Sequence, residues 1–181
     1  MSQICYKVEI LLSLLKKNKH IREIAKELNT NQMTIKRKLE ELEKENVVDY
    51  TFEGKNKVYF IKKTFEAKQS ICIAELEKTK ETIKANAILR TVFEEIRKKD
   101  IHLAILFGSF AKKTQTTTSD IDIYIETTEI SLKHEIEKIN SRLSVKIGKY
   151  DKENSLIKEI ETNHVIIKGV EEFYEKNRFF S

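Results

Sequence analysis

Two apolar runs joined by a polar loop constrain this chain more than any other feature. Residues 101–107 (IHLAILF) form a short continuous apolar stretch that reads as a buried strand, and residues 119–125 (SDIDIYI) alternate strictly. Between them lies GSFAKKTQTTT, whose single glycine stands where the first run stops. A glycine there permits close backbone approach at a turn, and the short helical segment predicted for FAKKT offers free N–H groups to a phosphate. Ser109 adds a hydroxyl. Period-2 geometry puts Asp120, Asp122 and Tyr124 on one strand face, with Ile121, Ile123 and Ile125 on the other. Two carboxylates at the entry of one strand face repel each other unless a cation sits between them. Mg²⁺ held by one or two carboxylates plus substrate phosphates is the chemistry that fits.

Charge divides the chain. Residues 1–63 hold 14 Lys/Arg against 9 Asp/Glu, whereas residues 64–181 hold 20 of each, so the whole net charge of +5 falls in the first third. The asymmetry predicts two units, the first with an anionic partner. Within it, residues 4–17 carry Ile4, Val8, Leu11, Leu12 and Leu15 at helical spacing, and HIREIAKELN repeats the pattern with Ile21, Ile24, Ala25 and Leu28. Asn29-Thr30-Asn31 breaks the second helix, and Thr30 is a candidate N-cap for a third, NQMTIKRKLEELEKEN. That helix is expected to bury Met33, Ile35, Leu39 and Leu42. Asn31, Gln32, Thr34, Lys36, Arg37 and Lys38 then lie largely outside. Two strand-like runs follow, VVDYTF and KVYFIKK, with Glu53-Gly54-Lys55-Asn56 reading as a hairpin turn.

Three short helices and a two-stranded ribbon resemble a winged helix-turn-helix, a fold that lays its third helix in the major groove of double-stranded DNA and rests its wing on the backbone. The amide side chains Asn31 and Gln32, with Thr34, suit base edges. Lys36, Arg37, Lys38 and, at the wing tip, Lys55 and Lys57 suit phosphates. Winged helices also dock proteins, and a solvated basic face is the plainest alternative. Residues 64–99 then read as a long helical connector with little interruption, a candidate dimer helix whose heptad pattern is too irregular for a coiled coil. With no proline in the chain, nothing obstructs such helices.

The pairing of Gly108-Ser109 with Asp120-x-Asp122, the lead-in ILFGSFA and the tail segment HVIIKGVEEFYE resemble the polymerase β-like minimal nucleotidyltransferases. The resemblance extends to archaeal-type fusions of such a domain to a winged helix, and so to nearly the whole chain. It implies an α/β (α+β) fold: a winged helix-turn-helix over 1–63, the connector over 64–99, and a small mixed-sheet nucleotidyltransferase domain over 100–181. It further implies that Gly108 and Ser109 hold a nucleoside triphosphate, and that Asp120 and Asp122 bind Mg²⁺ or Mn²⁺ and serve catalysis. Active members carry a third acid on a later strand. The matching strand here, residues 143–147, offers Ser144 and Lys146 instead, while Glu126 and Asp151 are the nearest acids in sequence.

Three functions fit this reading. One is a nucleotidyltransferase directed by its DNA-binding domain. Another is a transcription regulator whose transferase domain senses nucleotide or serves as a dimerisation scaffold. The third is an antitoxin-like protein that modifies a separate toxin chain. A homodimer is expected. The absence of a leader-like or membrane-spanning run, and of metal-ligand spacing at Cys5 and Cys72, predicts a cytoplasmic protein with two buried thiols.

Overall fold

The computed structural model describes residues 5–180. The chain forms two compact units, one of residues up to Glu77 with Phe180, the other of Lys78–Phe179.

In the first unit, α1 (Tyr6–Leu14) leads through the two-residue strand β1 (Lys19–His20) into α2 (Ile21–Glu27) and α3 (Gln32–Lys44). The strands β2 (Val48–Glu53) and β3 (Asn56–Ile61) form the hairpin, and β1 pairs on the free edge of β3, giving the antiparallel order β1-β3-β2. Both helix ends in the helix-turn-helix are set by asparagine. Asn29 and Asn46 adopt the left-handed conformation after α2 and α3. There Thr30 N–H donates to Ala25 O at 2.9 Å and Val47 N–H to Leu42 O at 3.0 Å, satisfying carbonyls that a helix end leaves open. The N-cap of α3 is Asn31, not Thr30: its Oδ1 accepts the Thr34 N–H at 2.7 Å. Thr30 instead donates its hydroxyl to Tyr6 Oη.

Several burial expectations are corrected. Ile10, Leu11 and Leu14 are the buried apolar residues of α1, so its inner face is rotated from the one expected through Val8, Leu12 and Leu15; Ile4 lies outside the described residues. Met33 is exposed, not buried. It stands about 200° round the helix from Ile35, and the buried stripe of α3 is Ile35, Leu39 and Leu42. Neither cysteine is a buried thiol: Cys5 is exposed ahead of the first helical turn and Cys72 is half-buried.

The expected long helix is two. α4 (Phe65–Ala85) stops at Asn86, whose side-chain amide donates back to Thr82 O while its Oδ1 accepts from Gln115, and α5 (Ile88–Arg97) begins after Ala87. α5 presents Leu89, Val92, Phe93 and Ile96 to the core of the second unit.

The second unit is a mixed four-stranded sheet of order β6-β5-β4-β7, built from β4 (Ala104–Leu106), β5 (Ile121–Glu126), β6 (Leu143–Gly148) and β7 (Val165–Lys168). Only the centre of IHLAILF joins the ladder. β5 runs parallel to β6 and antiparallel to β4, and β7 is antiparallel on the other side of β4. Short helices α6 (Gly108–Lys112), α7 (Ile130–Glu137), α8 (Ser155–Thr162) and α9 (Val170–Lys176) connect and cover it. Register assigns the two faces. Ile121, Ile123 and Ile125, aligned with Leu143, Leu106 and Ala104, join α5 in one buried cluster. The opposite face carries Asp122, Tyr124 and Glu126, with Ile105 and Ile166 aligned beside Tyr124.

Candidate functional site

The turn after β4 and the start of β5 are in direct contact. Phe107 N–H donates to Asp122 O at 3.0 Å. Gly108 then takes φ +66°, and a Cβ there would overlap the Asp122 carboxylate. Only glycine allows both the left-handed conformation and this approach. Ser109 follows in the first turn of α6, and Thr114 N–H closes that helix by donating to Ser109 O at 3.0 Å.

The loop that returns to the acids is also fixed. Thr116 N–H donates to Ser119 Oγ at 2.8 Å, and Gln115 Nε2 donates to Asn86 Oδ1 at 2.7 Å. Arg142 grips the Ser119 carbonyl with Nε at 3.0 Å and a second guanidinium N–H, while its own carbonyl accepts the Ile121 N–H at 2.7 Å. Arg142 therefore brackets Asp120 from both sides in sequence. Asp120 itself is exposed and Asp122 half-buried. Burial pushes the Asp122 carboxyl above its ordinary range, a hydrogen bond from Ser144 works against that, and repulsion from Asp120 adds to it.

The parallel register places Ser144 beside Asp122 and Lys146 beside Tyr124 on the same face, so the lysine charge acts on Asp122. The acids nearest in sequence are committed elsewhere. Glu126 pairs with Lys176 at 3.1 Å and accepts the Tyr150 N–H, and Asp151 accepts the Glu153 N–H. His102 is exposed, and His134 lies 3.5 Å from Glu137 on its own helix. The acid that sequence reasoning missed is Glu159 of α8. Its charge bears on Asp122, and its carboxylate holds Lys112, at the end of α6, at 2.6 Å. No spacing in the sequence signals this, because α8 follows Asp122 by more than thirty residues and reaches the site only through the sheet crossover. Among the described residues no group of three or more His, Cys, Asp or Glu is arranged to hold a metal ion; Asp120 and Asp122 form a pair.

In the first unit, a groove of about 560 Å³ runs between the start of α3 and the hairpin, lined by Gln32, Met33 and Lys36 on one side and Lys55 and Lys57 on the other. Arg22 and His20 complete its basic rim. Of the expected DNA-contact residues, Gln32, Lys36, Arg37, Lys55 and Lys57 reach this surface or its solvent side. Some are engaged within the protein: the Asn31 side chain caps α3 by accepting the Thr34 backbone N–H, Lys38 pairs with Glu41 at 2.8 Å, and Lys36 lies 3.9 Å from Glu40. Lys57 also lies over the Tyr50 ring, 3.5 Å from its centroid.

Comparison with known proteins agrees with this division. Residues 89–177 match the family model described as Polymerase beta, Nucleotidyltransferase, and residues 6–50 match the one described as Bacterial regulatory protein, arsR family. No curated protein matches the chain. Among the described residues, no helix is long and apolar enough to cross a membrane. The chain thus joins an arsR-family helix-turn-helix domain to a polymerase beta nucleotidyltransferase domain.

Proposed function

We propose that the second domain binds a nucleoside triphosphate with Mg²⁺ or Mn²⁺ at Gly108, Ser109, Asp120 and Asp122, and that the first domain directs this activity by binding duplex DNA. The observation that carries the reading is the contact between Gly108 and Asp122, which brings the Gly-Ser turn and the paired acids into one place. The donor set fits a hard divalent ion: two carboxylates, all oxygen donors. A side chain at position 108 would collide with one of those carboxylates, so the glycine is what lets Asp122 stand against the Gly-Ser turn. Asp120 and Asp122 would hold the ion, with Ser109 and the adjacent N–H groups on the phosphates. An ion bound there would neutralise phosphate charge and make the α-phosphorus more open to attack. Arg142 and Ser144 orient the two aspartates through Ser119 and through a direct hydrogen bond to Asp122.

The reaction class is transfer of a nucleotidyl group to an acceptor hydroxyl with release of pyrophosphate. The proton of that hydroxyl needs an acceptor. Here the neighbouring strand presents Ser144 and Lys146, and a lysine cation is no base. This supports a second reading, in which the domain binds nucleotide with slow transfer and acts as a sensor coupled to the DNA reader.

The test is thermal melting of the full chain with each nucleoside triphosphate, with and without Mg²⁺ or Mn²⁺, together with transfer of label from the same nucleotides in host lysate. Metal-dependent stabilisation that Asp120→Asn/Asp122→Asn abolishes supports the site. Label on a protein, nucleic acid or small molecule supports the enzyme, and stabilisation without label supports the sensor. A melting temperature indifferent to every metal–nucleotide combination overturns both.

A further inference from the structure

Met33 is 72% exposed, although the other apolar residues of α3 are buried to 1% or less. It stands in the first turn of the helix, on the wall of the basic groove and between Gln32 and Lys36. Two polar neighbours are held within the protein. Asn31 Oδ1 accepts the Thr34 N–H at 2.7 Å, and Lys38 Nζ donates to Glu41 at 2.8 Å. What α3 presents at its leading turn therefore includes the Gln32 amide and the exposed Met33 thioether.

The groove around them has the charge of a nucleic-acid surface. Arg22, Lys36, Lys55 and Lys57 line it, against the single acid Glu23. That carboxylate is already taken by the His20 N–H at 2.9 Å and lies 3.3 Å from Lys17 Nζ. Residues at the start of a helix seated in the major groove meet base edges. On those edges the thymine C5-methyl is the apolar group, and a flexible, polarisable thioether packs well against it.

We infer that Met33 is a specificity-determining residue that seats on a thymine methyl in the major groove, with Gln32 beside it offering its amide to an adenine edge. This rests on the DNA-binding reading above. Sequences enriched by the full chain from random duplexes should be rich in A·T pairs at the positions that α3 covers.

The experiment replaces each dT of an enriched duplex, one at a time, with dU, which removes the methyl group alone. At the dT under Met33, wild-type affinity should fall about fourfold, the worth of one buried methyl-sized group. Met33→Ala should bind the dT and dU duplexes equally, at about the wild-type affinity for dU. Its melting temperature should match wild type, because the side chain is exposed. The inference is overturned if wild type ignores every dT→dU change, or if Met33→Ala retains the same penalty. Salt-sensitive binding without methyl discrimination removes the Met33 assignment alone, whereas no binding to any duplex at low salt removes the DNA reading itself and this inference with it.

Discussion

Gly108→Ala tests the geometry of the site more directly than removal of either acid. Two costs act at this position. An L-residue in the left-handed region costs about 1–2 kcal/mol, and Gly108 has φ +66°. A methyl group there also overlaps the Asp122 carboxylate, with Cγ at 3.2 Å and Cβ at 3.3 Å. Overpacking of that kind costs about 1–3 kcal/mol more, because Asp122 sits in a ladder and its side chain has to leave its rotamer. Gly108→Ala should therefore destabilise the second domain by about 2–5 kcal/mol. In an Asp122→Ala background the carboxylate is gone and only the backbone cost remains. The double-mutant cycle should show about 1–3 kcal/mol of coupling between the two positions.

The two units need not unfold in one transition, so a global melting curve alone would not assign this cost to the second domain. Hydrogen exchange in urea resolves the β4–β5 amides, including the Phe107 N–H that donates to Asp122 O. Those amides should lose protection in Gly108→Ala, and the loss should be smaller when Asp122→Ala is the reference. An equal cost in both backgrounds, or a cost below about 0.5 kcal/mol, the usual size for an uninvolved surface change, would refute the claim that the glycine makes room for the acid.

Replacing Lys36 or Arg37 with Ala should each flatten the log–log salt dependence of DNA binding by about 0.9 per lost phosphate contact, while Lys38→Ala, paired with Glu41, should leave the slope unchanged. Burial works to raise the Glu27 carboxyl, but hydrogen bonds from Lys19 and Ser13 outweigh it and leave its folded pKa below the ordinary value. Its stabilising contribution is thus complete above the unfolded carboxylate pKa and is lost as pH falls through the lower folded value, so Glu27→Gln should make acid unfolding of the first unit less steep in urea titrations between pH 5 and 2 (about the range where a lowered carboxylate titrates). Lys146→Asp should weaken nucleotide affinity and raise metal-dependent transfer, whereas Lys146→Ala should weaken affinity without the gain; rapid transfer by the unmodified protein would refute the role given to the lysine.

Much of the fold was legible because period and punctuation agreed. The alternation of SDIDIYI placed Asp122 and Tyr124 on one face, and register against β4 and β6 places them there. Asn29-Thr30-Asn31 marked the helix-turn-helix break, but which residue caps α3 depends on a hydrogen bond of 2.7 Å that composition does not distinguish. Met33 was misassigned because an apolar residue next to a buried stripe looks like part of it; only the helix phase set by Ile35, Leu39 and Leu42 excludes it. The connector read as one helix because Asn86 is no strong breaker, and its partner Gln115 lies 29 residues away. The same distance problem hid Arg142 and Glu159. Each reaches the site through tertiary placement, Arg142 by the parallel neighbour of β5 and Glu159 by the crossover helix.

The charges around Asp122 bear on what the site does best. Asp120, Asp122 and Glu159 are opposed by Lys146 and by Lys112, which Glu159 holds. A cation beside the acids attracts a triphosphate in its ground state about as strongly as in the transition state, since the total phosphate charge changes little during transfer. Such uniform binding tightens the complex without speeding the chemical step. A carboxylate at the same place would do the reverse: it would repel the phosphates, weaken binding, and accept the proton of the attacking hydroxyl. On the nucleotide-binding reading proposed above, a lysine rather than an acid on this strand face would favour occupancy over turnover. On the proposed sensor reading, occupancy is the property a nucleotide-responsive regulator requires, and the domain that carries this site follows a region matching the arsR-family model.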